Sequence, residues 1–158
     1  MKKFYYLIPV ITILLFSCSK NSTYYSLDAE FGLDIKNKKQ ENLLNGWLEV
    51  EKITHSGTNN GQEYLTAGYE TPDTPPIDGY SVTKKGESNI LNMTFSPIYR
   101  ESIITIKWKN MVKEDTLKAE LYKDKHVIRI GKIFWNGDLV WEKGKSGDKY
   151  QINVVKDI

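Results

Sequence analysis

Hydrophobic and polar residues alternate along most of the chain after residue 27. The alternation is clearest over 29–35, 91–95, 104–108 and 117–121, where every second residue is apolar or small. A period of two is typical of a β-strand with one buried face, because successive side chains point to opposite sides of the sheet. No segment after residue 27 has a convincing helical period, so we predict an all-β protein.

Turn-forming residues separate these runs at intervals of about ten residues. Asn136-Gly137 is the strongest of these signals, since both residues tolerate the positive φ that a two-residue hairpin turn requires. Strands are expected over 28–36, 47–53, 80–83, 91–95, 104–108, 117–121, 127–135, 138–142 and 150–155, with a possible strand over 63–69 and loops over 56–61 and 70–79. Their spacing predicts one antiparallel, immunoglobulin-like β-sandwich of about eight strands over 28–158, with a small β-barrel as the alternative.

The first seventeen residues have a different composition from the rest of the chain. Lys2 and Lys3 precede an apolar run of thirteen residues over 4–16, and the chain becomes polar directly after Cys18. Thirteen residues are too few to cross a bilayer, which requires roughly 20. A short basic region followed by an apolar run of this length is typical of a secretory signal peptide.

The end of this segment resembles the lipobox of bacterial lipoproteins. Leu15 corresponds to the leucine of that motif, Ser17 to the small residue before the cleavage site, and Cys18 to the cysteine that receives the lipid; Phe16 stands where the family usually has a small residue. The resemblance implies cleavage between Ser17 and Cys18, and acylation of Cys18. An ordinary secretory signal with an incidental cysteine is the alternative.

The resemblance also implies a location. Two acyl chains already hold a protein stably on a membrane, and a lipoprotein cysteine carries three. Ser19 follows the cysteine, which in this family favours the outer membrane, and no acidic cluster follows it. We expect a signal peptide over 1–17, a lipidated flexible tether over 18–27, and a domain in the cell envelope that faces the periplasm, with surface exposure as the alternative.

Removal of the signal peptide changes the charge. The whole chain has 22 basic and 20 acidic residues and a formal net charge of +2, but two of the basic residues and none of the acidic ones lie in 1–17. The processed chain is therefore formally neutral, which argues against nucleic acid as a partner. Its one cysteine excludes an intramolecular disulfide and a zinc module rich in cysteine.

Catalytic motifs are not found in the sequence. His55 and His126 have no second ligand at metal spacing, and Gly144-Lys145-Ser146 lacks the earlier glycine of a phosphate-binding loop. We therefore nominate no catalytic residue, no metal ligand and no cofactor, and expect a protein that is not an enzyme. Glycoside hydrolysis remains an alternative, because it needs a pair of carboxylates and two such residues can be brought together by the fold alone.

The hairpin around Asn136-Gly137 is apolar on both faces. A regular two-residue turn pairs Ile133 with Val140, which places Trp135 and Trp141 on opposite faces. If one of these faces is open to solvent, its tryptophan is part of an exposed aromatic patch that binds a sugar or a protein, and Trp135 and Trp141 are the candidate residues. The alternative is that another part of the chain covers the second face.

A second resemblance covers about sixty residues of the C-terminal half. Segments 115–118 and 134–141 resemble a group of small bacterial envelope lipoproteins of unknown function. Together these observations predict a lipid-anchored envelope protein that binds an envelope protein or glycan, or has a structural role. The alternatives are a small glycan or peptidoglycan hydrolase, and an inhibitor of a lytic enzyme or protease that uses the loop over 72–76.

Overall fold

The computed structural model describes residues 26–59, 79–124, 127–146 and 150–157. Within this part of the chain all regular structure is β. The strands are β1 (Ser26–Asp28), β2 (Glu30–Lys36), β3 (Val50–Thr58), β4 (Tyr80–Lys85), β5 (Ser88–Thr94), β6 (Glu101–Trp108), β7 (Asp115–Asp124), β8 (Val127–Trp135), β9 (Asp138–Glu142) and β10 (Gln151–Val155). Among these described residues there is no helix with the length and apolar composition that spanning a membrane requires. The prediction of an all-β fold is confirmed.

The strands form two sheets. The larger sheet has the order β1-β8-β7-β6-β3, and β9 also pairs with β8; the smaller sheet has the order β10-β2-β5-β4. Most neighbours are antiparallel, as the sequence predicted. The pairs β1–β8 and β10–β2 are parallel, which was not predicted. Both join segments about 100 or more residues apart in the chain, and local alternation carries no information about such partners.

The predicted apolar faces meet in one core between the sheets. Every second residue of β2, β5, β6 and β7 is buried there, and Phe31 stacks on Phe95 with ring centroids 4.5 Å apart. Trp108 is fully buried. An aromatic side chain of this kind removes 150–250 Å² from water, which at 25 cal/mol per Å² stabilises the fold by roughly 4–6 kcal/mol before entropy is counted.

Several strand boundaries differ from the prediction, and those of β1 and β3 change the interpretation of a segment. β1 begins at Ser26 and overlaps the segment expected as a tether up to residue 27. β3 covers Val50–Thr58 rather than 47–53, so Trp47 lies in a turn and is exposed, while 56–58 are strand rather than loop. β6 pairs with β3 as far as Thr58, and these ladder hydrogen bonds override the loop propensity of Ser56 and Gly57.

Several predicted features lie outside the described residues. They are the signal peptide over 1–17, the lipidation site Cys18, the strand over 63–69, the proline-containing loop over 70–78 with its segment 72–76, and His126.

Candidate functional site

The predicted aromatic patch is not on the surface. Trp135 and Trp141 are 6% and 3% exposed and both belong to the core. In β8 and β9, Phe134 pairs with Leu139 as expected, but Ile133 pairs with Trp141 because Val140 forms a β-bulge. One extra residue moves every later side chain of the strand to the other face. Trp141 therefore lies on the same face as Trp135, toward the core. The prediction that these two residues form an exposed patch is wrong.

The Asn136-Gly137 turn has the predicted backbone, with φ of 50° and 96°. The side chain of Asn136 also connects segments 115–118 and 134–141, which carry the lipoprotein resemblance. Asn136 Nδ2 donates to Asp115 Oδ1 at 2.8 Å, and the Thr116 amide donates to Asn136 Oδ1 at 2.9 Å. These segments are therefore neighbours in the fold, and their contacts hold a hairpin in place.

Asp115 is the centre of a buried polar cluster. Its Oδ2 accepts hydrogen bonds from Trp108 Nε1 at 2.7 Å and from Lys156 Nζ at 2.5 Å. Lys156 follows β10 of the smaller sheet, whereas Asp115 begins β7 of the larger one. The cluster, which we call the Asp115 cluster (Trp108, Asp115, Asn136 and Lys156), therefore ties the two sheets together. Trp108, Asp115 and Lys156 are buried and Asn136 is exposed at the turn. Because both oxygens of the buried carboxylate accept hydrogen bonds, we interpret the cluster as structural.

The outer face of the smaller sheet contains a groove. Its volume is about 460 Å³, within the range of small-ligand sites. We call it the polar groove; it is lined by Asp28, Glu30, Phe31, Gly32, Thr83, Lys85, Ile90, Asn92, Tyr150 and Gln151. A second depression of about 220 Å³ lies beside it and is lined by Glu30, Gly79, Tyr80, Ser81, Asn92, Met93 and Thr94.

Gly32 gives the polar groove its depth. A Cβ at this position would lie 2.8 Å from Ile90 Cγ2 on the neighbouring strand β5, so the absence of a side chain lets Ile90 lie across β2. Ile90 is buried, although Leu91 and Met93 on the same strand face the core on the opposite side. The floor of the groove is therefore a small apolar surface inside a polar face.

Amides and a lysine form the walls of the groove. Asn92 Nδ2 donates to Thr83 Oγ1 at 2.9 Å, so the amide is held toward the edge strand β4. Lys85 Nζ donates to Gln151 Oε1. These two residues lie on β4 and β10, the opposite edges of the smaller sheet, and their side chains bridge the face.

Tyr150 closes the groove at the β10 side. Its Oη donates to Asp28 Oδ2 at 3.1 Å, and its ring meets the ring of Trp141 edge to face at 4.9 Å. Burial first, and then the charge and hydrogen bond of Asp28, raise the pKa of Tyr150 to about 12. The phenol therefore keeps its proton at neutral pH, where it is a hydrogen-bond donor and a flat ring rather than a base.

Of the two histidines, His55 lies within the described residues. His55 lies half-buried in β3, opposite Ile104. Residues 26–59, 79–124, 127–146 and 150–157 contain no group of three or more His, Cys, Asp or Glu side chains placed to hold a metal ion.

Sequence reasoning did not find the polar groove. Its walls come from β1, β2, β4, β5 and β10, and the β10 side is brought there by the parallel pairing of β10 with β2. One signal was present: Gly32 interrupts a strand at an outward position, and glycine inside a strand often marks a close approach of other groups.

No family model, no curated protein and no solved structure matches the chain.

Proposed function

We propose that this protein is a lipid-anchored cell-envelope protein that binds an envelope glycan in the polar groove and does not act as an enzyme. The observation that carries the proposal is the composition of the groove. Amide, carboxylate and hydroxyl groups surround an apolar floor, with one tyrosine ring at the side. Sugars present hydroxyl groups to such polar partners and their C–H faces to apolar and aromatic surfaces.

The proposed anchor agrees with this ligand. Asp28, which lines the groove, is ten residues after Cys18. Ten residues span at most about 35 Å when fully extended, so a lipid on Cys18 holds the groove within that distance of the membrane surface. A glycan of the cell envelope lies within this reach. The proposal places the protein on the outer membrane, facing the periplasm, as the lipobox resemblance implies.

The ionisation states in the groove favour binding over catalysis. With its pKa near 12, Tyr150 is a poor nucleophile and base at neutral pH. Asp28 accepts a hydrogen bond from Tyr150 and has Arg129 Nε 3.8 Å from its Oδ2. Both contacts hold Asp28 in place as an acceptor.

A glycan hydrolase is the second candidate, because Asp28 and Glu30 both line the groove. Most glycosidases use two carboxyl groups, one as the general acid and the other as the base or nucleophile. The test is release of reducing ends from envelope glycan by the wild-type protein, with Asp28→Asn and Glu30→Gln as controls. Turnover that both substitutions abolish would replace the binding proposal, and binding without turnover supports it.

The binding experiment uses the purified lipidated protein in detergent on a glycan array and on isolated peptidoglycan sacculi. Asn92→Ala removes a hydrogen-bonding amide from the groove wall. Since one ligand hydrogen bond contributes about 1–1.5 kcal/mol, we expect affinity to fall roughly tenfold. Asn153→Ala is the matched control, because Asn153 is exposed on the same face of the smaller sheet but does not line the groove.

Three results would contradict the proposal: binding of no glycan, equal loss in both variants, or binding of a peptide probe in place of a sugar. The anchor is tested separately by labelling with palmitate. Incorporation is expected in the wild type and not in Cys18→Ala, and equal labelling would overturn the anchor.

A further inference from the structure

We propose that the polar groove prefers an acidic sugar, a ring that carries a carboxylate or a phosphate, and that Lys85 binds the anionic group. The inference rests on the proposed function and narrows the class of glycan. Among the described residues that line the groove, Lys85 is the one cation. Its ammonium is therefore the group of the groove that attracts a negative charge on a ligand.

The strand register places Lys85 on the outer face of the smaller sheet, together with the floor of the groove. Residues that pair across a β-ladder have side chains on the same face, and every second residue of a strand shares that face. The ladders of β4, β5, β2 and β10 place the following groove residues on this one face: Thr83, Lys85, Ile90, Asn92, Gly32 and Gln151. A ligand that rests on Gly32 and Ile90 therefore lies on the side to which the Lys85 ammonium extends.

Lys85 has a neutral partner in the structure. Its Nζ donates to Gln151 Oε1, and it forms no ion pair with any of the described residues. A carboxylate or phosphate attracts an ammonium by charge as well as by hydrogen bonding, so it displaces the amide of Gln151. The flexible four-carbon stem of lysine lets the ammonium turn from the amide to the ligand.

The two carboxylates of the groove leave room for an anion. Asp28 has Arg129 Nε 3.8 Å from its Oδ2, which offsets part of its charge. Glu30 and Lys85 pair with positions 94 and 88 of β5, so their backbones lie about 20 Å apart along the strands. Once released from Gln151, Lys85 holds an anion at its own end of the groove. The carboxylate of Glu30 then accepts hydrogen bonds from sugar hydroxyl groups at the other end.

The experiment compares sugars that differ in one group, with the full lipidated chain in detergent. Glucose, glucuronic acid and glucose 6-phosphate differ only at the last carbon, and N-acetylmuramic acid adds one lactyl carboxylate to N-acetylglucosamine. We expect the acidic sugars to bind at least fivefold more tightly than their neutral counterparts at low salt. At about 0.5 M salt this preference should shrink, because an exposed ion pair is screened. Preference for glucuronic acid or for glucose 6-phosphate identifies the anion as carboxylate or phosphate.

The outcomes separate the preference from the proposed function. Equal affinity for acidic and neutral sugars would overturn the preference and leave glycan binding in place. Binding of no sugar and of no sacculi would overturn the proposed function as well. The same conclusion would follow if an acidic peptide bound more tightly than every sugar.

Lys85→Gln tests the residue itself. This variant loses the charge, so we expect acidic and neutral sugars to bind with similar affinity, whereas Lys85→Arg should keep most of the preference. Lys84→Gln is the matched control, because Lys84 is exposed, loses the same charge, lies on the opposite face of β4 and does not line the groove. Equal losses in Lys85→Gln and Lys84→Gln would overturn the assignment of Lys85.

Gln151→Glu tests the displacement of the amide. The new carboxylate pairs with Lys85 inside the protein, so it competes with the anion of the ligand. We expect the preference for glucuronic acid over glucose to disappear in this variant, although Lys85 is unchanged. A preference equal to that of the wild type would show that the ligand does not replace Gln151 at Lys85.

Discussion

Two aspartates of this protein have opposite surroundings. Asp115 is buried between the sheets, and its oxygens accept hydrogen bonds from a tryptophan, an asparagine and a lysine. Asp28 is exposed at the polar groove, where Tyr150 donates to it and Arg129 lies 3.8 Å away. A buried carboxylate must be fully paired to be tolerated, whereas an exposed one retains lone pairs for a ligand. We therefore expect Asp115 to stabilise the fold and Asp28 to take part in recognition of a ligand.

The largest expected effect is in the Asp115 cluster. Asp115→Asn removes the negative charge and leaves the ammonium of Lys156 buried beside a neutral amide. Removal of one partner from a buried pair costs about 3–5 kcal/mol of the free energy of unfolding, which denaturant titration measures. The control is Glu49→Gln, because Glu49 pairs with Lys109 on the surface and its loss should cost less than about 1 kcal/mol. Similar losses of stability in both variants would mean that the buried contacts of Asp115 contribute no more than a surface ion pair does.

The second prediction concerns pH and Tyr150. The pKa of Tyr150 is raised from 10.0 to about 12 in the folded protein, so between these values the unfolded chain loses its phenol proton first. The free energy of unfolding therefore has the full Tyr150 contribution below pH 10 and loses it as pH rises toward 12. Since the chain has ten tyrosines, the measurement is the difference between wild type and Tyr150→Phe from pH 9 to 12. A constant difference across this range would show that Asp28 and burial do not perturb Tyr150.

The smallest effect on stability, with a clear effect on binding, is expected for Gly32→Ala. The new Cβ would lie 2.8 Å from Ile90 Cγ2, a methyl group on the β-carbon of a stiff, buried side chain, so Ile90 or the two strands must shift. Overpacking costs about 1–3 kcal/mol, and the lower entropy of the unfolded chain with alanine offsets about 0.4–1 kcal/mol of it, so we expect the free energy of unfolding to fall by about 1–2 kcal/mol. The added methyl group also makes the polar groove shallower, so the affinity for glycan should fall. Unchanged affinity, or a loss of stability comparable to that of Asp115→Asn, would contradict the distinction between the two regions.

The hairpin β8–β9 shows how far sequence reasoning extends. Asn136-Gly137 correctly predicted the turn, because the positive φ of both residues is a local preference. The register beyond the turn was wrong, since Val140 bulges and Trp141 joins the core. Burial of a tryptophan gains several kcal/mol, which outweighs the ladder hydrogen bonds that a bulge disrupts. That competition depends on the space between the sheets and is invisible in a local pattern.

Local alternation was sufficient for the all-β class, most of the strands and most of the core residues, because period and burial follow directly from the geometry of a strand. The two parallel pairs, the contact between Asp115 and Lys156, and the polar groove depend on partners distant in the chain. Long-range pairing is chosen by the packing of whole sheets, so these features arise only when the strands are assembled.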